Sequence, residues 1–204
     1  MTRRAINRLG LITVFLIGML AGGSWMAWWR GAAPSKNLVS LPSNAVLLPV
    51  YGLNARGLCG QRVLYLTIET KDDVQKGFAE LLEKLLAEKF SSLPADLAFS
   101  QTAGKLVATV NLRNPEWAQG RDFYQQPWVK YFNMGTTGSV ATELTLVETL
   151  LQPAFGGRWI DELRLRYEGK FGDLTDHGGL EEKYLRTVGR YQKGWFNCDP
   201  QAIP

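Results

Sequence analysis

The chain is short of the residues on which most hydrolases depend. Its 204 residues include two cysteines and one histidine, His177, and contain neither a Gly-x-Ser-x-Gly nor a Gly-Lys-Ser/Thr sequence. A serine or cysteine nucleophile needs a base and a P-loop needs its lysine, so these absences argue against both kinds of site. We therefore expect no catalytic residue and no cofactor.

A metal site is not expected either. Asp173, Asp176 and His177 lie in one short stretch and are ligand types that hold divalent ions. The glycines beside them suit a solvent-exposed turn equally well, and a catalytic site normally needs more ligands than one loop supplies. Carboxylates brought together from distant parts of the chain leave a hydrolase as a lesser alternative.

Acidic residues are absent from the first 68 positions. The chain carries 23 Lys and Arg against 19 Asp and Glu, and five of the basic residues lie within residues 1–44, which contain no acid. Residues 45–204 therefore hold 18 basic against 19 acidic residues. Because these basic residues alternate with acids, we do not expect a continuous basic surface that could bind the phosphates of a nucleic acid. We predict no nucleic-acid partner.

Ionisable side chains are also missing from residues 9–29. At about 1.5 Å per residue, a helix of this length covers roughly 30 Å, the hydrocarbon thickness of a bilayer. Arginines precede the run and tryptophans close it. The sequence therefore predicts a cytoplasmic stretch at 1–8, a transmembrane helix at 9–29 and a C-terminal domain outside a bacterial cytoplasmic membrane.

Two other interpretations of this N-terminus stay open. Residues 31–33 supply the small side chains of a signal-peptide cleavage site, although Pro34 would follow the cut. The apolar run also exceeds a typical signal core of about 7 to 15 residues. Residues 2–6 resemble the start of a twin-arginine export signal.

We expect one domain between residues 45 and 170. Residues 30–44 are small, polar and contain proline, which is typical of a linker. Residues 171–204 form a C-terminal extension, in which apolar side chains at helical spacing from Tyr184 predict a short helix. Cys59 and Cys198 could form a disulfide between the domain and this extension, or remain two separate thiols.

The pattern of apolar residues predicts an α+β domain. Pro49 cannot donate to a ladder, so it places the first strand at an edge or makes that strand irregular. In chain order we predict strands at 46–51 and 62–67, a helix capped by Thr70 and running to Lys89, hairpin strands at 97–99 and 106–112, a helix entered from a capping stretch at 135–139 and ended by Pro153, and a strand at 159–167. The fold class is then a small antiparallel or mixed sheet with two helices on one face, preceded by one transmembrane helix.

Aromatic side chains are concentrated between residues 114 and 132. A segment of this kind either packs as a lid over one end of a domain or forms an exposed contact surface. The residues that we single out as a candidate interaction surface are Trp117, Phe123, Tyr124, Trp128 and Tyr131.

Residues 135–151 and 159–169 resemble the C-terminal half of the GerM domain, also called the sporulation and spore germination domain. In that family a small-residue turn opens a helix ending near Thr-Leu, here Thr149-Leu150, and a strand finishing in glycine follows, here Gly169. The earlier half is similar too, through Val50-Tyr51, the leucine-rich helix, Leu93-Pro94 and Val110-Asn111-Leu112. Two departures are a longer aromatic segment at 116–132 and Asn111 in place of an acid.

The resemblance implies a small α+β module like the ring-building domains of bacterial envelope assemblies, carried behind a membrane or lipid anchor. We therefore expect a membrane-anchored, non-catalytic domain that mediates protein interaction or self-assembly in the cell envelope, with a role in sporulation or germination as an extension of that expectation. The alternative is an envelope glycan-binding module for peptidoglycan, or a carboxylate-based hydrolase.

Overall fold

The computed structural model of the chain describes residues 44–54, 59–69, 72–133, 135–171, 174 and 180–188. The predicted membrane span at 9–29, nearly all of the predicted linker, and His177 lie outside the described residues. Within the described ranges, no helix has the length and hydropathy needed to cross a bilayer.

The fold is α+β, as predicted. Within the described residues, six strands and three α-helices follow one another as β1 (Val46–Leu53), β2 (Gly60–Ile68), α1 (Val74–Lys89), β3 (Ala95–Thr102), β4 (Lys105–Leu112), α2 (Pro127–Phe132), α3 (Gly135–Leu151), β5 (Glu162–Tyr167) and β6 (Tyr184–Leu185).

The strands form two sheets, whereas the sequence predicted one. Strands β1 and β2 make an antiparallel pair, and the second sheet has the order β3-β4-β5-β6. Its central pair, β4 and β5, is parallel, and the two outer pairs are antiparallel. The chain between β4 and β5 carries the aromatic segment and α3, as a crossover between parallel strands requires.

Side chains at the end of α3 and directly after it explain why β1 does not join the second sheet. The hydroxyl of Thr149 accepts a hydrogen bond from the backbone N–H of Tyr51 at 3.0 Å. The amide nitrogen of Gln152 donates to the carbonyl of Pro49 at 2.8 Å. The outer edge of β1 is therefore occupied by a helix. The prediction that Pro49 marks an edge or irregular strand is confirmed, and a register shift lies between Val50 and Tyr51.

The β3–β4 hairpin has a two-residue turn. Thr102 pairs with Lys105, and Ala103 and Gly104 between them have φ angles of +51° and +78°. Positive φ at both central positions is the requirement of a type I′ turn, whose twist matches that of the strands. The predicted turn is confirmed, and both strands are longer than the sequence indicated.

One hydrophobic core joins both sheets to α1 and α3. Phe78 of α1 is fully buried, and its ring centroid lies 5.6 Å from that of Phe99 and 6.0 Å from that of Trp159. The predicted apolar face of β4 is confirmed, since it buries Ala108, Val110 and Leu112.

Helix α1 begins at Val74, and its cap is Asp73 rather than the predicted Thr70, which lies outside the described residues. A carboxylate oxygen of Asp73 accepts the N–H of Lys76 at 3.1 Å. This bond satisfies one of the donors that a first helical turn leaves open, so the helix starts directly after the aspartate.

The start of α3 and the start of β5 were both predicted wrongly. Residues 135–139 belong to α3 itself instead of forming a cap before it. Strand β5 begins at Glu162, because Trp159 has another role. The indole N–H of Trp159 donates to the carbonyl of Leu150 at 2.8 Å and satisfies an acceptor in the last turn of α3.

The predicted helix from Tyr184 is wrong over the described part of the extension. Tyr184 and Leu185 pair with β5 as strand β6, opposite Leu163 and Glu162. The Tyr184 hydroxyl donates to a carboxylate oxygen of Glu143 at 2.6 Å, so its buried ring is tied to α3. Long-range pairing here outweighs the local helical spacing.

Candidate functional site

The aromatic segment is built from short turns followed by α2. Its two 3₁₀ turns are Glu116–Ala118 and Phe123–Gln125. The side chain of Asp122 accepts the N–H of Tyr124 at 3.3 Å, and the amide nitrogen of Gln126 donates to the carbonyl of Arg121 at 2.9 Å. Sequence reasoning missed α2 because a six-residue helix shows little periodicity. Its one signal was Pro127 at the first helical position.

The structure divides the predicted interaction surface into buried and exposed parts. Trp128 is fully buried, which corrects its assignment to the surface. Its ring packs 5.3 Å from that of Phe90, and its indole N–H donates to the carbonyl of Pro94 at 3.2 Å. Tyr131 is partly buried, also against Phe90, with its hydroxyl 3.2 Å from that of Ser91.

Three of the predicted residues stay at the surface. Trp117 is 62% exposed, Tyr124 56% and Phe123 40%. The rings of Phe123 and Tyr124 meet edge to face at 5.3 Å, and the Arg121 guanidinium lies 4.8 Å from the centre of the Trp117 ring. We call Trp117, Phe123 and Tyr124 the aromatic surface. The aromatic segment therefore combines the two predicted arrangements, because one part packs on the core as a lid and another part faces solvent.

An apolar groove borders the aromatic surface at Trp117. It has a volume of about 380 Å³ and is lined by Ser91, Leu93, Trp117, Pro127, Lys130 and Tyr131. A second cavity of about 440 Å³, between α1 and β3, shares Leu93 with it. Volumes of this size are typical of sites that hold a small ligand or a few residues of a partner.

A second exposed apolar patch lies on the outer face of β1 and β2. Tyr65 is 53% exposed, Leu47 48% and Val63 40%. Pro49 lies opposite Tyr65 in the ladder, so Leu47, Pro49 and Tyr65 share one face. The register shift leaves Val63 unpaired, and its side chain lies on the other face, beside Gly52. We call Leu47, Pro49 and Tyr65 the hairpin face. The sequence did not predict this face, because the register shift interrupts the alternation of side chains along β2.

A polar cluster links α3 to the two strands of the hairpin. Burial raises the pKa of Tyr51; Arg62 opposes this shift, and the buried Glu148 adds to it. The hydrogen bond to Tyr65 is the main cause that raises the pKa of Arg62.

Cys59 is buried directly before β2 and is disulfide-bonded. Its predicted partner, Cys198, lies outside the described residues, so the pairing stays a prediction.

Among the described residues, no three His, Cys, Asp or Glu side chains converge in a way that could hold a metal ion. Comparisons of the chain with family models, with curated proteins and with solved structures found no match.

Proposed function

We propose that this chain is a single-span bacterial envelope protein whose extracytoplasmic domain is a non-catalytic, GerM-like module that binds a protein partner. The observation that carries the proposal is the aromatic surface beside the apolar groove, with Trp117 more than half exposed. Exposed aromatic clusters next to a concave site are typical of interaction surfaces.

The residue types at this surface favour a protein partner. Trp, Tyr and Arg are enriched at the energetic centres of protein interfaces. The Arg121 guanidinium lies over the Trp117 ring, and Tyr124 follows three residues further along the chain. Lys130 lines the groove, while Glu116 and Asp122 flank the aromatic residues in the chain. An apolar centre with charges of both signs around it has the anatomy of a protein interface.

The order of elements supports the GerM-like part of the proposal. A strand pair, a long helix, a second strand pair, a second long helix and a further strand follow one another, which is the small α+β arrangement that the resemblance implies. The partner is an envelope protein or a second copy of this chain.

Photo-crosslinking of the full-length protein in cells tests the proposal. A crosslinker at position 124 should capture one defined protein, and Trp117→Ala should reduce that yield by about tenfold or more, the loss of an interface centre. Phe171→Ala is the matched control, since Phe171 is 40% exposed and packs 4.5 Å from the Arg166 guanidinium. Equal yields from both variants would sink the proposal.

Glycan binding is the second candidate, because Trp117 and Tyr131 line the same groove as the polar groups of Ser91 and Lys130. Aromatic rings with a few polar groups are the usual lining of such pockets. Co-sedimentation of the full-length protein with purified peptidoglycan, lost in Trp117→Ala and kept in Phe171→Ala, would replace the protein partner with a glycan.

The membrane anchor and its orientation belong to the same proposal. The full-length protein should stay in the membrane fraction after alkaline washing, and its intact mass should include residues 1–29. A mass that begins near residue 34 would instead favour the signal-peptide interpretation. A sporulation or germination defect on gene deletion would extend the proposal to that process.

A further inference from the structure

Strand β3 has one edge that pairs with no other described strand. On its other side it pairs with β4, and Thr102 closes the two-residue turn between them. Every second residue back from Thr102 therefore bonds to β4, and the bond from the N–H of Arg113 to the carbonyl of Pro94 at 2.9 Å continues this alternation. The residues between them direct their backbone N–H and C=O groups away from β4. These residues are Ala95, Leu97, Phe99 and Gln101.

This edge lacks the features that usually protect an edge strand, which are lysine, proline, a bulge or a covering segment. Strand β3 contains neither lysine nor proline, and its register with β4 runs through all eight residues without a bulge. Its one charged side chain, Asp96, is turned to β4, since it accepts the Asn111 amide at 3.1 Å. The backbone groups along the edge are therefore a template for a further strand.

An apolar groove runs beside the edge, between β3 and α1. It is the cavity of about 440 Å³ described above. Its lining includes small and apolar side chains from both elements, namely Ala79, Leu82, Leu86 and Ala87 of α1 and Ala95 and Leu97 of β3. The alanines leave room for the side chains of a ligand, and the leucines give them an apolar surface to contact.

The other flank of α1 is occupied by contacts with β2. The ammonium group of Lys84 donates to the carbonyl of Thr67 at 2.6 Å and to a carboxylate oxygen of Glu80 at 2.7 Å. The helix therefore makes polar contacts on the side of the first sheet and lines a groove on the side of β3.

The charged side chain that lines the groove is Glu83. Ion pairs along a helix join residues four positions apart, and the residues at these positions from Glu83 are Ala79 and Ala87. No cation of α1 therefore stands one turn before or after this exposed carboxylate. A lysine or arginine of a ligand complements it.

We propose that this edge and groove bind an extended peptide segment of a partner protein, which adds to β3 as a fifth strand of the second sheet. Alternate side chains of the peptide, apolar ones and one lysine or arginine, lie against α1. In such strand addition the main-chain bonds give affinity and the alternate side chains give specificity. From Ala95 to Gln101 the edge covers about 20 Å at 3.3 Å per residue, the length of a seven-residue strand.

Selection from a displayed library of random ten-residue peptides against the full-length protein in mild detergent supplies the probe. Enriched peptides should carry apolar side chains at every second position and a lysine or arginine in the same alternate set. Absence of enrichment would overturn the proposal. So would enriched peptides without this alternation, or with an acid in place of the cation.

Two variants place the enriched peptide in the groove, with its affinity measured by fluorescence anisotropy. Ala79→Phe fills the groove from an exposed helix position and should weaken binding at least about tenfold. Glu83→Gln removes the carboxylate and should weaken it about threefold to tenfold. Glu88→Phe and Glu88→Gln are the matched controls, because Glu88 is exposed and lies nine positions from Ala79, about 180° around the helix. Equal losses in variants and controls would contradict the proposal.

Trp117→Ala separates this site from the aromatic surface. It should leave the affinity for the enriched peptide unchanged, whatever it does to the partner proposed above. A tenfold loss would place the peptide at the aromatic surface instead and overturn this inference while supporting the other.

Amide hydrogen exchange measured by NMR tests the added strand itself. At a peptide concentration ten times Kd, exchange at the N–H groups of Leu97 and Phe99 should slow about tenfold, because only the free protein exchanges. The N–H groups of Asp96 and Ala98, already bonded to β4, are the internal controls and should change little. Unchanged exchange at Leu97 and Phe99 would show that the peptide adds no strand. Slowing that follows protein concentration without peptide would assign the edge to a second copy of this chain. Either result overturns the proposal.

Discussion

Asn111 shows how one side chain can join three parts of the second sheet. Its carbonyl oxygen accepts the N–H of Gly169 at 2.7 Å, and its amide nitrogen donates to a carboxylate oxygen of Asp96 at 3.1 Å. An aspartate could make the first bond but not the second. The asparagine that departs from the GerM pattern therefore suits a position beside an acid on the neighbouring strand.

We expect Asn111→Asp to lower the free energy of unfolding by about 1 to 2 kcal/mol, because it removes a donor and places two carboxylates side by side. Urea unfolding of the full-length chain measures the change. Combining it with Asp96→Asn should recover most of the loss, since the donor is then supplied from the other strand. A double variant that is no more stable than Asn111→Asp would contradict this account.

The buried phenol of Tyr51 predicts an alkaline limit to stability. Burial raises the pKa of Tyr51 above its ordinary value of 10.0, mainly because the anion loses its hydration. The folded state then holds this proton more tightly than the unfolded state, so the stabilisation is complete below about pH 10 and is lost as the pH rises through the folded pKa.

Tyr51→Phe should therefore flatten the fall in unfolding free energy above about pH 10. The control is Tyr124→Phe, since Tyr124 is 56% exposed. Unfolding curves at a series of alkaline pH values make the comparison. A fall of the same steepness in both variants would show that another group sets the limit.

The β3–β4 hairpin holds an alanine in a conformation that suits asparagine better. Ala103 is exposed and has a φ of +51°, followed by Gly104. Asn-Gly is the preferred pair for a type I′ turn, so Ala103→Asn should stabilise the protein by about 0.5 to 1 kcal/mol. Thermal unfolding should show a higher midpoint temperature for this variant. Ala98→Asn, in the ordinary extended backbone of β3, should show a small decrease.

Helix α3 is what confines β1 to a two-stranded sheet. The Thr149 hydroxyl is the acceptor for the N–H of Tyr51, and Thr149 is fully buried. Thr149→Val keeps the shape but leaves that N–H without its acceptor, which should cost about 1 to 3 kcal/mol in the free energy of unfolding. Thr137→Val, at an exposed position of the same helix, is the control and should change stability little. Equal effects would show that the hydrogen bond is not the cause.

The helices and strands differ in how well they could be predicted from the sequence. Periodicity within a dozen residues predicted α1, α3 and the strand pairs, because each depends on neighbours along the chain. The division into two sheets depends on Thr149 and Tyr51, 98 positions apart, and no local pattern contains that contact. The aromatic segment was recognisable by composition, but the burial of Trp128 depends on Phe90 and Pro94, which approach only in the folded domain.

At the scale of the whole molecule, a disulfide between the two cysteines would restrict the conformations of the unfolded chain. A disulfide between Cys59 and Cys198 would close a loop of well over 100 residues, and loops of that size are stabilised by several kcal/mol in the chain-entropy account. Cys198→Ser should then lower the free energy of unfolding by about 3 kcal/mol. Urea unfolding under non-reducing conditions measures the change, and a reducing agent should remove the difference between the variant and the unmodified protein.

The hydrogen bond between Tyr51 and Thr149 also affects how this protein folds during its synthesis. Synthesis proceeds from the N-terminus, so the first hairpin emerges long before the helix that completes it. Until Thr149 and Gln152 arrive, the outer edge of β1 offers unpaired backbone groups to any passing strand. A nascent or prematurely terminated polypeptide that stops short of this helix is therefore prone to aggregate.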